Sequence, residues 1–218
     1  MRWLTKHASN IETDNLSGKF RSRRLKILLS KIKNLNSVNT QIIDIGGSNY
    51  FWETLGKEDH INFNLTLVNK EKNHIKGFKG IIADAANLQF IKNNAFDLCF
   101  SNSVIEHLPT FDEQKQMAES ILRIAPYHFI QTPAYIFPVE PHFLFPFFHW
   151  LPEFIRIKLL QNFRLGWYEK LPEFHRAETL VKSIRIMKKR ELKKMFPGSH
   201  IITEYVLFLP KSYIVTNL

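Results

Sequence analysis

The stretch Gln41-Ile42-Ile43-Asp44-Ile45-Gly46-Gly47-Ser48-Asn49-Tyr50 decides the fold. Its apolar run, Ile42, Ile43 and Ile45, carries one acid and then meets two glycines. There the backbone must turn sharply and approach a ligand closely. A strand ending in a ligand-binding turn is how a nucleotide site opens in an α/β sheet.

Upstream, residues 16–35 place Phe20, Leu25, Leu28, Leu29, Ile32 and Leu35 at helical spacing. Lys19, Arg21, Arg23, Arg24, Lys26, Lys31 and Lys33 fall mostly on the other face, which makes a basic amphipathic helix flanking the first strand. Downstream, a short helix is expected through Phe51, Trp52 and Leu55, then a β-rich run from Asn62 to Val68 that ends at Asn69. Further strands are read at Gly80 to Ala83, ending at Asp84, at Ala95 to Asn102, and at Tyr127 to Gln131. Thr110 and Glu113 have the spacing of a capping box for a helix that buries Met117, Ile121 and Leu122. Strand and helix alternate, which argues a mostly parallel sheet covered on both faces.

The alternation breaks over residues 132–172, where Pro133, Pro138, Pro141, Pro146 and Pro152 interrupt a run of aromatics, so this segment reads as an insertion after the fifth strand. Phe143 to Pro152 is too apolar to lie flat in water and must be buried somewhere. The sheet plan resumes with a basic helix near Lys188 to Phe196 and two strands, Ile201 to Leu207 and Ser212 to Val215. These are about three residues apart and are expected to pair as an antiparallel hairpin. One domain over residues 1–218 accounts for the chain.

Lys and Arg total 30 against 20 for Asp and Glu, a formal charge of +10 that suits an anionic partner without naming it. The sole cysteine, Cys99, excludes an intramolecular disulfide and fits a reducing compartment. No apolar run approaches the roughly 18 residues of a membrane span. A cytoplasmic protein is expected, with peripheral seating on the inner face of a membrane as the variant.

Three segments together resemble the S-adenosylmethionine-dependent methyltransferases of class I, which have a Rossmann-like, seven-stranded, doubly wound sheet, and in particular their small-molecule branch. They are Ile42-Ile43-Asp44-Ile45-Gly46-Gly47, Ile82-Ala83-Asp84-Ala85-Ala86-Asn87-Leu88, and the run from Phe96 to Leu108 with Ser101-Asn102 and Glu106-His107. The resemblance covers roughly residues 38–133 and implies S-adenosylmethionine as cofactor. It places Asp44, Gly46, Gly47 and Ser48 in the loop against the methionine part, Asn69 at the ribose, Asp84 with Ala85 at the adenine, and Ser101 and Asn102 beside cofactor and acceptor. Two departures stand out. Ser48 and Tyr50 occupy places where the family spaces glycines, and Asn69 stands where it usually has an acid, so weaker cofactor binding is expected.

A methyl group on a sulfonium is already activated, so the enzyme's main task is to hold an acceptor lone pair in line with it. A hydroxyl acceptor also benefits from a general base. His107, after the fourth strand, is one candidate. His142 with Glu140, in Pro138-Val139-Glu140-Pro141-His142, is the other and is preferred, the carboxylate orienting the imidazole. No metal-ligand spacing stands out among the nine histidines, and no metal is expected. The leading acceptor is a small molecule, a glycan or a lipid-linked molecule. The last two rest on the apolar insertion, on Arg156, Lys158 and Arg164 facing anionic headgroups, and on a resemblance of residues 138–152 to methyltransferases of surface-polysaccharide pathways. An RNA methyltransferase ranks behind, because the aromatics do not alternate with the basic runs. A non-catalytic cofactor-binding module is the remaining alternative, and a dehydrogenase lacks the glycine spacing.

Overall fold

Ile42, Ile43 and Ile45 are fully buried, as a strand covered on both faces requires. They belong to β1 (Thr40–Ile45) in a computed structural model that describes residues 16–33, 39–47, 52, 63–71 and 78–218. β1 pairs in parallel with β2 (Phe63–Asn69) on one side and β4 (Leu98–Asn102) on the other. β3 (Lys79–Ile82) lies outside β2 and β5 (Tyr127–Pro133) outside β4, both parallel. A ribbon, β6 (Val139–Glu140) with β7 (Phe145–Pro146), stands apart, and β8 (His200–Val206) and β9 (Leu209–Thr216) finish the main sheet antiparallel. The order is β3-β2-β1-β4-β5-β9-β8. Strand order therefore reverses between β1 and β4, and a crevice opens beyond their carboxyl ends.

The two-residue period of β1 divides its side chains between two cores. Ile42 joins Leu25, Leu28, Leu29 and Ile32 of helix α1 (Leu16–Lys33), together with Phe100 and Phe129. Ile43 and Ile45 join Met117, Ala118 and Ile121 of α2 (Phe111–Ile124) on the opposite face. The Thr110 capping box is formed: its Oγ1 accepts from Glu113 N at 3.1 Å, and Glu113 Oε2 accepts from Thr110 N at 3.0 Å.

Four expectations are corrected. Leu122 is 37% exposed, because it falls outside the stripe set by Met117 and Ile121. The terminal hairpin turns at Leu207-Phe208, so β9 begins three residues before Ser212. Arg24 does not sit on a solvated face: it is 5% exposed, and its Nε donates to both carboxylate oxygens of Glu204 while Nη1 donates to Asn102 and Gln131. Finally, the inserted segment carries helices α3 (Glu153–Asn162) and α4 (Phe174–Lys182), and its core runs from Phe143 and Phe148 through Leu160 and Ala177 to Ile186. It thus reaches well past residue 172. Helix α5 (Lys189–Met195) follows where the basic helix was expected, and no described helix is long and apolar enough to cross a membrane.

Candidate functional site

A cavity of about 270 Å³ occupies the crevice, lined by Gly46, Val68, Asn69, Lys70, Ala83, Ala85, Ser103, Val104, His107 and Leu108. Gly46 turns the chain out of β1 with φ +76°, and its N–H donates to Val68 O at 2.7 Å. A Cβ there would lie 2.4 Å from a Val104 methyl, so only glycine lets the turn pass this close to the segment after β4. At Gly47 a Cβ would lie 2.3 Å from Asp44 Oδ2, which shows the loop backbone resting directly on that carboxyl group.

Of the residues assigned to cofactor, Gly46, Asn69 and Ala85 line the cavity. Asn69 is turned toward the loop, its Nδ2 donating to Gly47 O at 3.3 Å. Asp44 lies beneath the loop, 2% exposed; Oδ2 accepts from Trp52 Nε1 at 2.7 Å, and Oδ1 has no hydrogen-bond partner among the described residues. Burial pushes its pKa up to about 8, against the opposing Trp52 hydrogen bond. Asp84 stands near the end of β3, where Oδ1 accepts from Ala86 N and Oδ2 pairs with Lys70 at 2.9 Å. Partial burial opposes its charge, but the Ala86 N–H and Lys70 outweigh that and hold it below the usual carboxylate range. Ser48 lies outside the described residues, as do Tyr50 and the expected helical residues Phe51 and Leu55.

Ser101 and Asn102 are not in the cavity wall. Ser101 is fully buried and donates to Ile45 O at 2.9 Å, while the Asn102 side chain accepts from Arg24. Both belong to β4 itself. The wall is supplied two residues later by Ser103, at φ +56°, and Val104.

Glu140, His142 and His107 converge. Glu140 is 1% exposed; its Oε1 lies 2.5 Å from His142 Nδ1, and its Oε2 accepts from the backbone N–H of His142 at 2.8 Å and of Phe143 at 2.7 Å. These bonds fix the β6–β7 turn and direct His142 Nε2 at His107 Nε2, 3.2 Å away. The two histidines, weighed in the sequence as alternatives, form one pair. Burial works against a charge on His142, but the Glu140 hydrogen bond and charge overcome it and raise its pKa. Burial, with the neighbouring His142 charge, lowers His107 to about 4, so its ring is neutral near pH 7.

Sequence reasoning missed Glu106. It lies in the short 3-10 turn Ile105–His107, is fully buried, and accepts from Thr132 Oγ1 at 3.0 Å through Oε2, while Oε1 has no partner among the described residues. Burial raises its pKa to about 7 despite the nearby His142. The turn is braced by Gln114 Nε2, which donates to Ile105 O, and by Arg185 N, which donates to Glu106 O. Glu106, His107 and His142 present one donor atom each, all within 4.8 Å of one another. A search for ligand spacing along the chain passes over this group, because His142 comes from a segment 35 residues away from His107.

No protein-family model matches the chain. Over 68 residues, 31% of its length, it is 41% identical to an uncharacterized protein of Mycobacterium tuberculosis, and that match spans 23% of the relative. Among solved structures, trans-methyltransferase CalH in complex with SAH superposes at a TM-score of 0.54 and 12% identity, over 93% of this chain and 59% of that one. A protein of Bordetella parapertussis described as a possible exported protein gives 0.57 at 9% identity, over 92% and 67%. A protein of Rhodobacter sphaeroides described as a putative zinc-dependent alcohol dehydrogenase gives 0.52 at 8%, over 86% and 87%. Likeness at such identity establishes the fold, not the chemistry. With its seven-stranded sheet and antiparallel last pair, the chain has the class I, Rossmann-like methyltransferase fold.

Proposed function

We propose that the protein transfers a methyl group from S-adenosylmethionine to a hydroxyl of a small-molecule, glycan or lipid-linked acceptor. The observation that carries this reading is the Glu140–His142–His107 chain, which ends on the wall of the cavity at the strand-order reversal. The residues present suit the cofactor. Gly46 brings backbone to the cavity, Asp44 Oδ1, without a partner among the described residues, lies under the loop, Asn69 offers an amide for ribose hydroxyls, and Ala85, which follows Asp84 in the chain, lines the wall. When bound, the cofactor supplies a methyl group already activated by its sulfonium.

The chain's own residues then have two tasks. The cavity wall at Ser103, Val104 and His107 sets the acceptor's approach, where alignment within a near-attack distance contributes most of the rate. The cluster engages the acceptor hydroxyl and helps it lose its proton, worth typically about 10²- to 10⁴-fold. Glu140 acts through His142 by holding the ring and fixing which nitrogen faces the acceptor. The inserted segment exposes Phe147, Trp150, Phe154, Phe163 and Trp167 together with Lys158 and Arg164, which supports a lipid-linked acceptor met at an anionic membrane surface, whereas Arg156 is half-buried with its Nε enclosed.

The test is incubation with methyl-labelled cofactor and separated lipid, glycan and RNA pools from an extract of the host cell. Label in the lipid or glycan pool that disappears in His142→Asn supports the reading. Label in RNA alone overturns the acceptor class, and label in no pool despite cofactor binding favours a non-catalytic binding module.

A further inference from the structure

The cluster beside the cavity has the composition and geometry of a metal centre. We propose that Glu106, His107 and His142 hold one divalent first-row transition-metal ion, and that this ion engages the acceptor hydroxyl. The inference rests on the methyltransferase reading for its role in catalysis, but the site itself stands on independent observations.

The first is the donor set. Two imidazole nitrogens and one carboxylate oxygen lie within 4.8 Å of one another. The two Nε2 atoms are 3.2 Å apart. At the ~2.0–2.1 Å length of a zinc–imidazole bond, both would sit on one ion with an N–metal–N angle of roughly 100°, close to tetrahedral. Two histidines and one acid leave a coordination position open, the mark of a catalytic centre as opposed to a structural one, and imidazole-rich sets of this kind suit zinc, iron, copper or nickel over magnesium.

The second is an unmet bonding need. Glu106 is fully buried, yet its Oε1 has no hydrogen-bond partner among the described residues. A buried carboxylate oxygen left without a donor is destabilising unless something binds it. Glu106 and Glu140 are both buried, and among the described residues neither is paired with a lysine or arginine, in a chain that carries 30 such residues. A divalent ion balances two carboxylates.

The third is the support around the ligands. His142 commits Nδ1 to Glu140 Oε1 at 2.5 Å, so Nε2 is the nitrogen left to coordinate. A carboxylate behind a ligating histidine is the usual outer partner of a bound metal. Thr132 Oγ1 holds the other oxygen of Glu106. The exposed member, His107, is the one that also lines the cavity, which turns the open coordination position toward the acceptor.

An acceptor hydroxyl on that position loses its proton to water more readily than in solution. The oxygen then forms the new bond to the methyl carbon while the sulfur–methyl bond breaks and sulfur keeps the electron pair. The ion is neither oxidised nor reduced.

Chelator-stripped full-length protein should be titrated calorimetrically with Zn²⁺ and, separately, Mn²⁺, with bound metal counted after dialysis and Co²⁺ absorption read as a probe of coordination. The expected result is one ion per chain and a Co²⁺ spectrum of nitrogen–oxygen ligation. Tenfold or greater weakening is expected in His107→Ala, whose exposed site tolerates truncation, and in His142→Asn and Glu106→Gln. Glu140→Gln should weaken binding by about 10- to 100-fold without removing a ligand. No binding by the wild type at millimolar metal, or equal binding by His107→Ala and His142→Asn when circular dichroism shows both folded, would overturn the proposal. Cofactor titration of the stripped protein separates the two readings. Metal binding without cofactor binding leaves the centre standing and removes the methyltransferase role, whereas cofactor binding without metal binding does the reverse.

Discussion

Substituting Gly46 by alanine adds a single carbon, and its cost is worked directly from the loop. The carbon would lie 2.4 and 2.8 Å from the two Val104 methyls and 3.1 Å from Val104 Cβ. Rotating Val104 about χ1 can put its one Cβ hydrogen in only one of the two crowded positions, so a methyl stays in the other and Cβ itself stays at 3.1 Å. Overpacking of this kind costs about 1–3 kcal/mol. Independently, φ +76° is a left-handed conformation that costs a residue with a Cβ about 1–2 kcal/mol. The sum, about 2–5 kcal/mol, is a large share of the stability of a domain this size. Urea unfolding of wild type, Gly46→Ala, Val104→Ala and the double variant measures both parts. The double variant should recover the steric share and retain the backbone share, giving a coupling energy well above the scatter of independent sites. A single variant within 1 kcal/mol of wild type, or a double variant whose losses simply add, would refute the packing of the loop against the segment after β4.

Three further outcomes are expected. His128 is 1% exposed, and burial lowers its pKa to about 4. The unfolded chain takes up that proton first, so its stabilising contribution is complete above about pH 6.5 and drains as pH falls toward 4, by up to about 3 kcal/mol; His128→Gln should flatten that part of a stability profile measured from pH 7 to 4. Glu204→Ala strands the buried Arg24 guanidinium and should cost about 3–5 kcal/mol in chemical denaturation, whereas surface-exposed Lys182→Ala should change the midpoint little. Thr110→Ala removes the capping acceptor of α2 and should cost about 1 kcal/mol, with Thr110→Ser retaining most of the stability.

Much of the sheet was legible because its signals are local. The apolar runs of β1, β4 and β5 and the capping box before α2 are set by near neighbours, and their burial follows from period alone. The insertion was harder, since prolines mask helix starts: Pro152 caps α3, and the core that α3 shares with α4 is made by residues far apart in sequence. Arg24 was misplaced for a related reason. A helical wheel shows which face a charge occupies, but not that Glu204, 180 residues later, waits beneath it. At the site, the positions before and after strand ends were the weak point. The turn at Ser103 carries the cavity wall two residues beyond the residues expected there. Glu140 and His142 were readable because a carboxylate two residues from a histidine closes a local hydrogen bond. Glu106 was not, since its partners Thr132 and Arg185 and its neighbour His142 meet it only through the fold.

The central claim, that the crevice between β1 and β4 is an S-adenosylmethionine site, is tested most directly by calorimetric titration of the full chain with that cofactor and with its demethylated product. The account predicts one site per chain, weakened in Asp84→Ala and Gly46→Ala, with an affinity lowered by the neutral Asn69 and recovered in part by Asn69→Asp. Absence of binding to either compound at millimolar concentration, by protein whose circular dichroism shows it folded, would contradict it.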